Sequence, residues 1–212
     1  TCLHAILEDW ARGKGALADL VAPTLTAHGI DAESWSAVAL TQLQWVLDSD
    51  LNGHGLTLAS LQPARRLPEL GFTFPVGDLQ VQRLRHILSD PAHGLAEPLR
   101  EAASRLEFDS LKGFLKGFID LTFEHDGRWY ILDYKSNWLG PDASYYGGER
   151  LLQALAGEHY YLQYLIYLVA LRRFLRQRLA DFSNEQLGGA YYLFLRGRPE
   201  AGVYFARPSD AL

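Results

Sequence analysis

Asp120, Asp133 and Lys135 have the residue types and the spacing to hold a cation against a phosphodiester. They lie in Gly117-Phe118-Ile119-Asp120 and Ile131-Leu132-Asp133-Tyr134-Lys135, on either side of Asp126-Gly127. Asp-Gly between alternating apolar residues signals a two-residue hairpin loop, because a type I′ turn needs positive φ at both central positions. The register that this loop imposes sets Asp120 opposite Asp133 on one face of the sheet. Facing side chains there stand about 5 Å apart at Cβ, and like charges so placed repel. A divalent cation is the simplest group to offset that repulsion. Strand alternation puts Lys135 on the same face, two residues beyond Asp133.

The chemistry that follows is metal-dependent cleavage of phosphodiesters. Mg²⁺ prefers one or two protein carboxylates and completes its shell with water and phosphate oxygens. Such a metal neutralises the scissile phosphate and lowers the pKa of a bound water, and Lys135 would orient that water or stabilise charge on the phosphate. An isolated Asp-x-Lys is ordinarily a solvated ion pair. Here an independent turn signal places the second acid, within segments that are otherwise apolar.

Other polar residues carry weaker signals. His4 sits on an amphipathic helix, where a lone histidine is more often a surface or packing residue than a ligand. Glu69 lies near an edge strand and reads as a solvent-facing charge. Gln163 and Tyr167 share one helix face a turn apart, close to Tyr160, Tyr161 and Tyr164. An aromatic core stripe explains that face, and contact with polar groups or DNA phosphate near the metal is the functional reading. Arg172, Arg173, Arg176 and Arg178 favour the C-terminal end of the same helix or track phosphate, and Arg196 and Arg198 are open to both readings.

These residues need a scaffold. The pattern gives helices over residues 2–10, 16–28 and 32–50, the last with apolar positions at Trp35, Val38, Leu43, Trp45, Val46 and Leu47. Asn52-Gly53-His54-Gly55 is a loop. From Arg66 to Val76 the pattern turns strand-like, and Pro68 and Gly71 either weaken that reading or place the strand at an edge. Helix returns over 79–107 with a break near Pro91-Ala92-His93-Gly94. The hairpin spans Gly113 to Lys135, residues 149–180 are helical with an interruption at Gly157, and short strands follow at Gly189–Leu195 and Gly202–Ala206. This order predicts an α/β sheet flanked by helices.

The 212 residues are 48% hydrophobic and 21% charged, the composition of one globular domain with a sizeable core. Cys2 is the only cysteine, which excludes an internal disulfide and fits a reducing compartment. No apolar run is long enough to span a bilayer. The chain starts at Thr1 on an apolar pattern without any methionine, and reads as a piece of a longer polypeptide. A net charge of −5 does not advertise nucleic-acid binding. Either a basic surface is local, or neighbouring domains and subunits supply it.

The chain resembles the PD-(D/E)xK nuclease superfamily and, more narrowly, the C-terminal nuclease domains of RecB-type subunits of exodeoxyribonuclease V. The matching stretches are Gly113 to Leu121, Tyr130-Ile131-Leu132-Asp133-Tyr134-Lys135-Ser136-Asn137-Trp138-Leu139-Gly140, Tyr192 to Gly197, the opening Leu3-His4-Ala5-Ile6-Leu7-Glu8 and the Gln163/Tyr167 pair. Together they reach from His4 to about Arg207. The resemblance implies one α/β domain over 1–212 with a restriction-endonuclease-like core, a mixed sheet flanked by helices, and with His4, Asp120, Asp133 and the Tyr134 carbonyl as metal ligands. It makes Lys135 the catalytic lysine, Gln163 and Tyr167 its supporting residues, and Glu69 a loosely matched further acid. It implies Mg²⁺, one ion or two, with Mn²⁺ or Ca²⁺ able to substitute in binding. It implies DNA as substrate, delivered single-stranded by a helicase and a RecC-like subunit, so the domain need not capture duplex alone. A RecD-like subunit and a recombinase are further implied partners, in the bacterial cytoplasm and away from membrane. Two alternatives remain at this point: a stand-alone endonuclease of the superfamily, and a catalytically idle docking module of the same fold.

Overall fold

Asp126 and Gly127 adopt φ of +50° and +74°, the pair of left-handed conformations that a type I′ loop requires. Glu124 steadies the turn by accepting the Gly127 N–H at 2.8 Å. The loop joins β2 (Ser110–His125) to β3 (Arg128–Lys135), which pair in the expected register from His125↔Arg128 to Leu121↔Leu132. In this computed structural model, residues 1–108, 110–197 and 201–209 are described. Arg198 lies outside the described residues.

The sheet has the order β1-β2-β3-β4-β5. β1 (Arg66–Gln80) is an edge strand antiparallel to β2, and it carries Pro68 and Pro75 where an edge tolerates proline. It runs four residues beyond Val76, with the register shifting between Val76 and Leu79. β4 (Leu187–Phe194) pairs parallel with β3, and β5 (Val203–Ala206) closes the far edge antiparallel. A parallel pair needs a long crossover; here it contains α6 (Gly148–Gly157) and α7 (Tyr160–Arg176).

Helices cover both faces, as the α/β reading expects. One core packs α6, α7, α4 (Val81–Ser89) and α5 (Glu97–Ser104) against Ile131, Ala190, Tyr192 and Phe194. The other packs α1 (Cys2–Ala11), α2 (Leu17–Ala27) and α3 (Ala32–Asp48) against Leu132, Tyr134, Tyr191 and Leu193. Alternation along β4 therefore feeds two cores. On α3, Leu43, Val46 and Leu47 are buried as the pattern expects, but Trp35, Val38 and Trp45 are exposed. That helix is apolar on more than one side, and its packing against α2, with a smaller contact to α1, decides which side is covered.

β2 contains one break in its alternation. Ile119 lies in the first core and Leu121 in the second, although a regular strand puts both on one face. The break falls at Asp120, across from Glu69 of β1, where the ladder skips a pair. Glu69 has φ +51°, a conformation that costs a non-glycine residue on the order of 1 kcal/mol and gathers at functional sites.

Candidate active site

The β2–β3 ladder stops one residue short of the two aspartates. Beyond Leu121, β2 continues along β1, while β3 continues along β4 through Asp133↔Tyr192 and Lys135↔Phe194. A fork opens between the strands. At its apex Asp120 Oδ2 accepts the Tyr134 N–H at 2.9 Å, taking a main-chain donor that the departed strand leaves free. Asp120 and Asp133 are thus brought together, at the mouth of a fork rather than across a continuous ladder.

His4 reaches the same place from the first turn of α1. Thr1 caps that helix by accepting the His4 N–H, and its hydroxyl also bonds His4 Nδ1. This directs Nε2 into the fork, 2.8 Å from the Tyr134 carbonyl oxygen and 3.8 Å from Asp120 Oδ2. Burial is the main cause that lowers the His4 pKa, which keeps the ring neutral. In the neutral ring the contact with the Tyr134 carbonyl makes Nε2 the N–H donor and leaves Nδ1 to accept from the Thr1 hydroxyl; the other tautomer, with Nδ1–H donating to Thr1, would free Nε2 as a ligand.

Lys135 is almost wholly enclosed, with its side chain 10% exposed. Its ammonium donates to Asp133 Oδ2 at 2.5 Å and to Gln163 Oε1 at 2.7 Å. It also sits over the rings of Tyr160 and Tyr192, at 4.0 and 4.8 Å from their centroids. Gln163 is fixed in turn: its amide donates to Tyr167 Oη at 2.9 Å, and its carbonyl also accepts from Tyr192 Oη at 2.9 Å. An ammonium has three donors, so one remains to meet a water or a phosphate oxygen.

The electrostatics are those of a site with too little positive charge. Asp133 is pushed up to about 6, chiefly by burial and then by the charge of Asp120, with Lys135 opposing. Asp120 is pushed up to about 6 by burial, against the Tyr134 N–H bond, and Glu69 adds to the rise. Glu69 is itself half-buried and raised, by burial and then by Glu8. The solvent-facing reading of Glu69 is therefore corrected: the left-handed kink of β1 turns it toward the other acids.

Three features of the site had no sequence signal. The Tyr160–Tyr192 enclosure of Lys135 joins residues from a helix and a strand that only the crossover brings together. Asn137 holds Tyr160 by accepting its hydroxyl at 3.0 Å. Thr1 orients His4. The arginines after Tyr167 face other tasks: Arg173 and Arg178 lie over Phe74 and Phe174, and Arg172 donates to Asn184.

A mixed five-stranded sheet with two acids and a lysine at a strand fork is a nuclease architecture, and comparison with known proteins agrees. The chain belongs to the PD-(D/E)XK nuclease superfamily, whose family model matches residues 1–210. It is 37% identical to the RecBCD enzyme subunit RecB of Escherichia coli over 218 aligned positions, covering 100% of this chain and 18% of the relative. RecB of Haemophilus influenzae is 36% identical over 76% of the chain and 13% of its own length. RecB of Mycobacterium tuberculosis is 40% identical over 74% and 17%. The chain thus spans about a fifth or less of the curated relatives it matches.

Members of this superfamily generally use divalent metal ions. Among the described residues, no three His, Cys, Asp or Glu side chains form a ready-made metal cluster. Each donor is engaged elsewhere: Asp133 with Lys135, Asp120 with the Tyr134 N–H, and His4 with the Tyr134 carbonyl. The chemistry of the set nonetheless fits a hard divalent cation, with two carboxylates, one carbonyl oxygen and one neutral imidazole. The raised pKa values point the same way, since both acids would ionise more readily beside added positive charge.

Proposed function

We propose that residues 1–212 form one nuclease domain that hydrolyses DNA phosphodiester bonds with Mg²⁺, as part of a RecB-like subunit of exodeoxyribonuclease V type. The observation that carries this reading is the fork, where Asp120, Asp133 and Lys135 meet with His4 and the Tyr134 carbonyl alongside. Those two carboxylates, His4 Nε2 and the Tyr134 carbonyl would hold the cation. When bound, it supplies charge neutralisation for the phosphate and acidifies a water.

The chain's own residues do the rest. Lys135 uses its third donor to orient the attacking water or to stabilise charge on a non-bridging phosphate oxygen. Gln163, held by Tyr167 and Tyr192, fixes the ammonium so that it need not reorganise as charge develops. Tyr160 and Tyr192 cover it with their rings and shield it from bulk water. No part of this arrangement reads a base, so cutting is without base specificity.

The RecBCD name of the relatives supports a place in a complex with RecC-like and RecD-like subunits, acting in double-strand break repair and recombination. Helicase-delivered single strands as substrate, a recombinase as partner and a bacterial cytoplasmic location belong to the same proposal. Consistently, no helix among the described residues is long and apolar enough to cross a membrane.

The test is degradation of single-stranded DNA in Mg²⁺ by the parent chain and by Asp133→Ala and Lys135→Ala. Cutting by the parent and its loss in both variants is expected. Undiminished cutting by either variant would remove the mechanism. Calorimetric titration with Mn²⁺ or Ca²⁺ separates an enzyme from a docking module, which has no reason to keep metal affinity.

A further inference from the structure

From Leu111 to Phe118 the sequence reads Leu-Lys-Gly-Phe twice in succession. In β2 the second tetrad and the phenylalanine before it put Phe114, Lys116 and Phe118 at alternate positions, so all three project from one face. The opposite face of this stretch turns Leu115 and Ile119 into the first core. Phe114 is 75% exposed and Phe118 55%, and Lys116 is exposed between them. Lys112, also exposed, lies within the register shift, between Gly113 and Leu111. Neither lysine has an ion-pair partner among the described residues.

The stripe is positioned as well as exposed. The Phe118 ring settles over Gly71 of β1, where an added Cβ would stand 3.2 Å from it. The glycine lets one ring face lie on the sheet while the other meets solvent. At a rise of about 3.4 Å per residue, Phe114 and Phe118 are roughly 14 Å apart along the strand with Lys116 midway. Asp120 follows Phe118 by two residues, at the break in the strand's alternation, so the stripe ends beside the fork.

Aromatic rings alternating with unpaired cations match one occupant. Bases with free faces stack on the rings, and the intervening phosphates meet the lysines; a duplex hides those faces within its own stack. The contrast is α3, whose exposed Trp35, Val38 and Trp45 have no cation on their helix and nothing to indicate what covers them. On a chain of net charge −5, the β2 stripe is a local basic surface beside the site.

We propose that Phe114, Lys116 and Phe118, extended by Lys112, form a track that binds single-stranded nucleic acid by stacking and phosphate contact and leads it toward Asp120. This rests on the nuclease reading of the fork. The experiment measures binding of a labelled oligothymidylate to the 212-residue chain by fluorescence anisotropy, with Ca²⁺ present and no Mg²⁺. Phe114→Ala and Phe118→Ala should each weaken binding roughly 5- to 100-fold, as expected for loss of one stacked base. Lys116→Ala should reduce the slope of log affinity against log salt by about 0.7. Phe114 is the cleaner site, since its side chain supports no core, and Phe114→Trp should restore binding. Failure of the parent to bind the oligomer would overturn the track. So would unchanged affinity in Phe114→Ala, or an equal loss for single strand and duplex. Hydrolysis of bis(p-nitrophenyl) phosphate by the parent in Mn²⁺ tests the nuclease reading separately, because that small diester does not need the stripe.

Discussion

Asp120→Asn should make the metal-free chain more stable while removing its response to metal. The side chain is 22% exposed, and its carboxyl is pushed from the ordinary 3.8 to about 6. Between about pH 4 and 6 the folded chain therefore binds more protons than the unfolded one. Stability from this group is full below pH 4 and is lost as pH rises through 6. A shift near two units corresponds to about 3 kcal/mol at most, at roughly 1.4 kcal/mol per unit. Asparagine avoids that loss, and its amide oxygen can still accept the Tyr134 N–H. Because Asp120 and Asp133 share part of the repulsion, we expect a gain of about 1–3 kcal/mol at pH 8 in EDTA, or roughly 2–12 °C in Tm for a domain of this size. The gain should shrink below pH 6 and vanish near pH 4. Saturating Mn²⁺ should stabilise the parent by about 3 kcal/mol at a hundredfold excess over Kd, and the variant by far less. Thermal unfolding across pH 4–8, with EDTA or Mn²⁺, reads all of this. A variant no more stable than the parent in EDTA at pH 8, or a gain that does not depend on pH, would refute the reasoning.

Three further outcomes are expected. Lys135→Ala should lower kcat for single-stranded DNA by about 10²–10³, the usual loss for one preorganised donor, with metal affinity retained in calorimetry. Metal affinity should rise between pH 5 and 7, because both carboxylates must shed protons held up to about 6; titration of Mn²⁺ at three pH values would show it, and a flat profile would count against Asp120 and Asp133 as ligands. Gly117→Ala would place a Cβ 2.8 Å from the Phe72 ring, which packs edge-on against Tyr167. We expect a loss of about 1–3 kcal/mol in denaturant unfolding together with reduced kcat, as the pressure passes through Tyr167 to Gln163.

The hairpin was legible because a type I′ turn is a local matter: Asp126-Gly127 carries its own conformational demand and so fixes which residues face each other. The helices were legible from periodicity for the same reason, and of the two readings that Pro68 and Gly71 left open for β1, the edge strand is the one the sheet shows. What was not legible depends on distance in sequence. His4 meets the Tyr134 carbonyl across 130 positions, and only family resemblance pointed to it. Glu69 reads as an ordinary surface charge until its left-handed backbone and the skipped pair beside Asp120 are seen. The alternation of β2 predicts Asp120 and Asp133 across a regular ladder, whereas the strands part there and the Tyr134 N–H fills the gap. The tyrosines of α7 were visible as a stripe, yet two roles are mixed in it. Tyr161 and Tyr164 build the core, while Tyr160 turns its ring to Lys135.

The most direct measurement is anomalous diffraction from a crystal of the chain soaked in Mn²⁺. A peak within coordination distance of Asp120, Asp133, His4 Nε2 and the Tyr134 carbonyl oxygen is the expected result. No peak at the fork in a crystal that holds manganese elsewhere, or a peak that touches only one of the two aspartates, would contradict it.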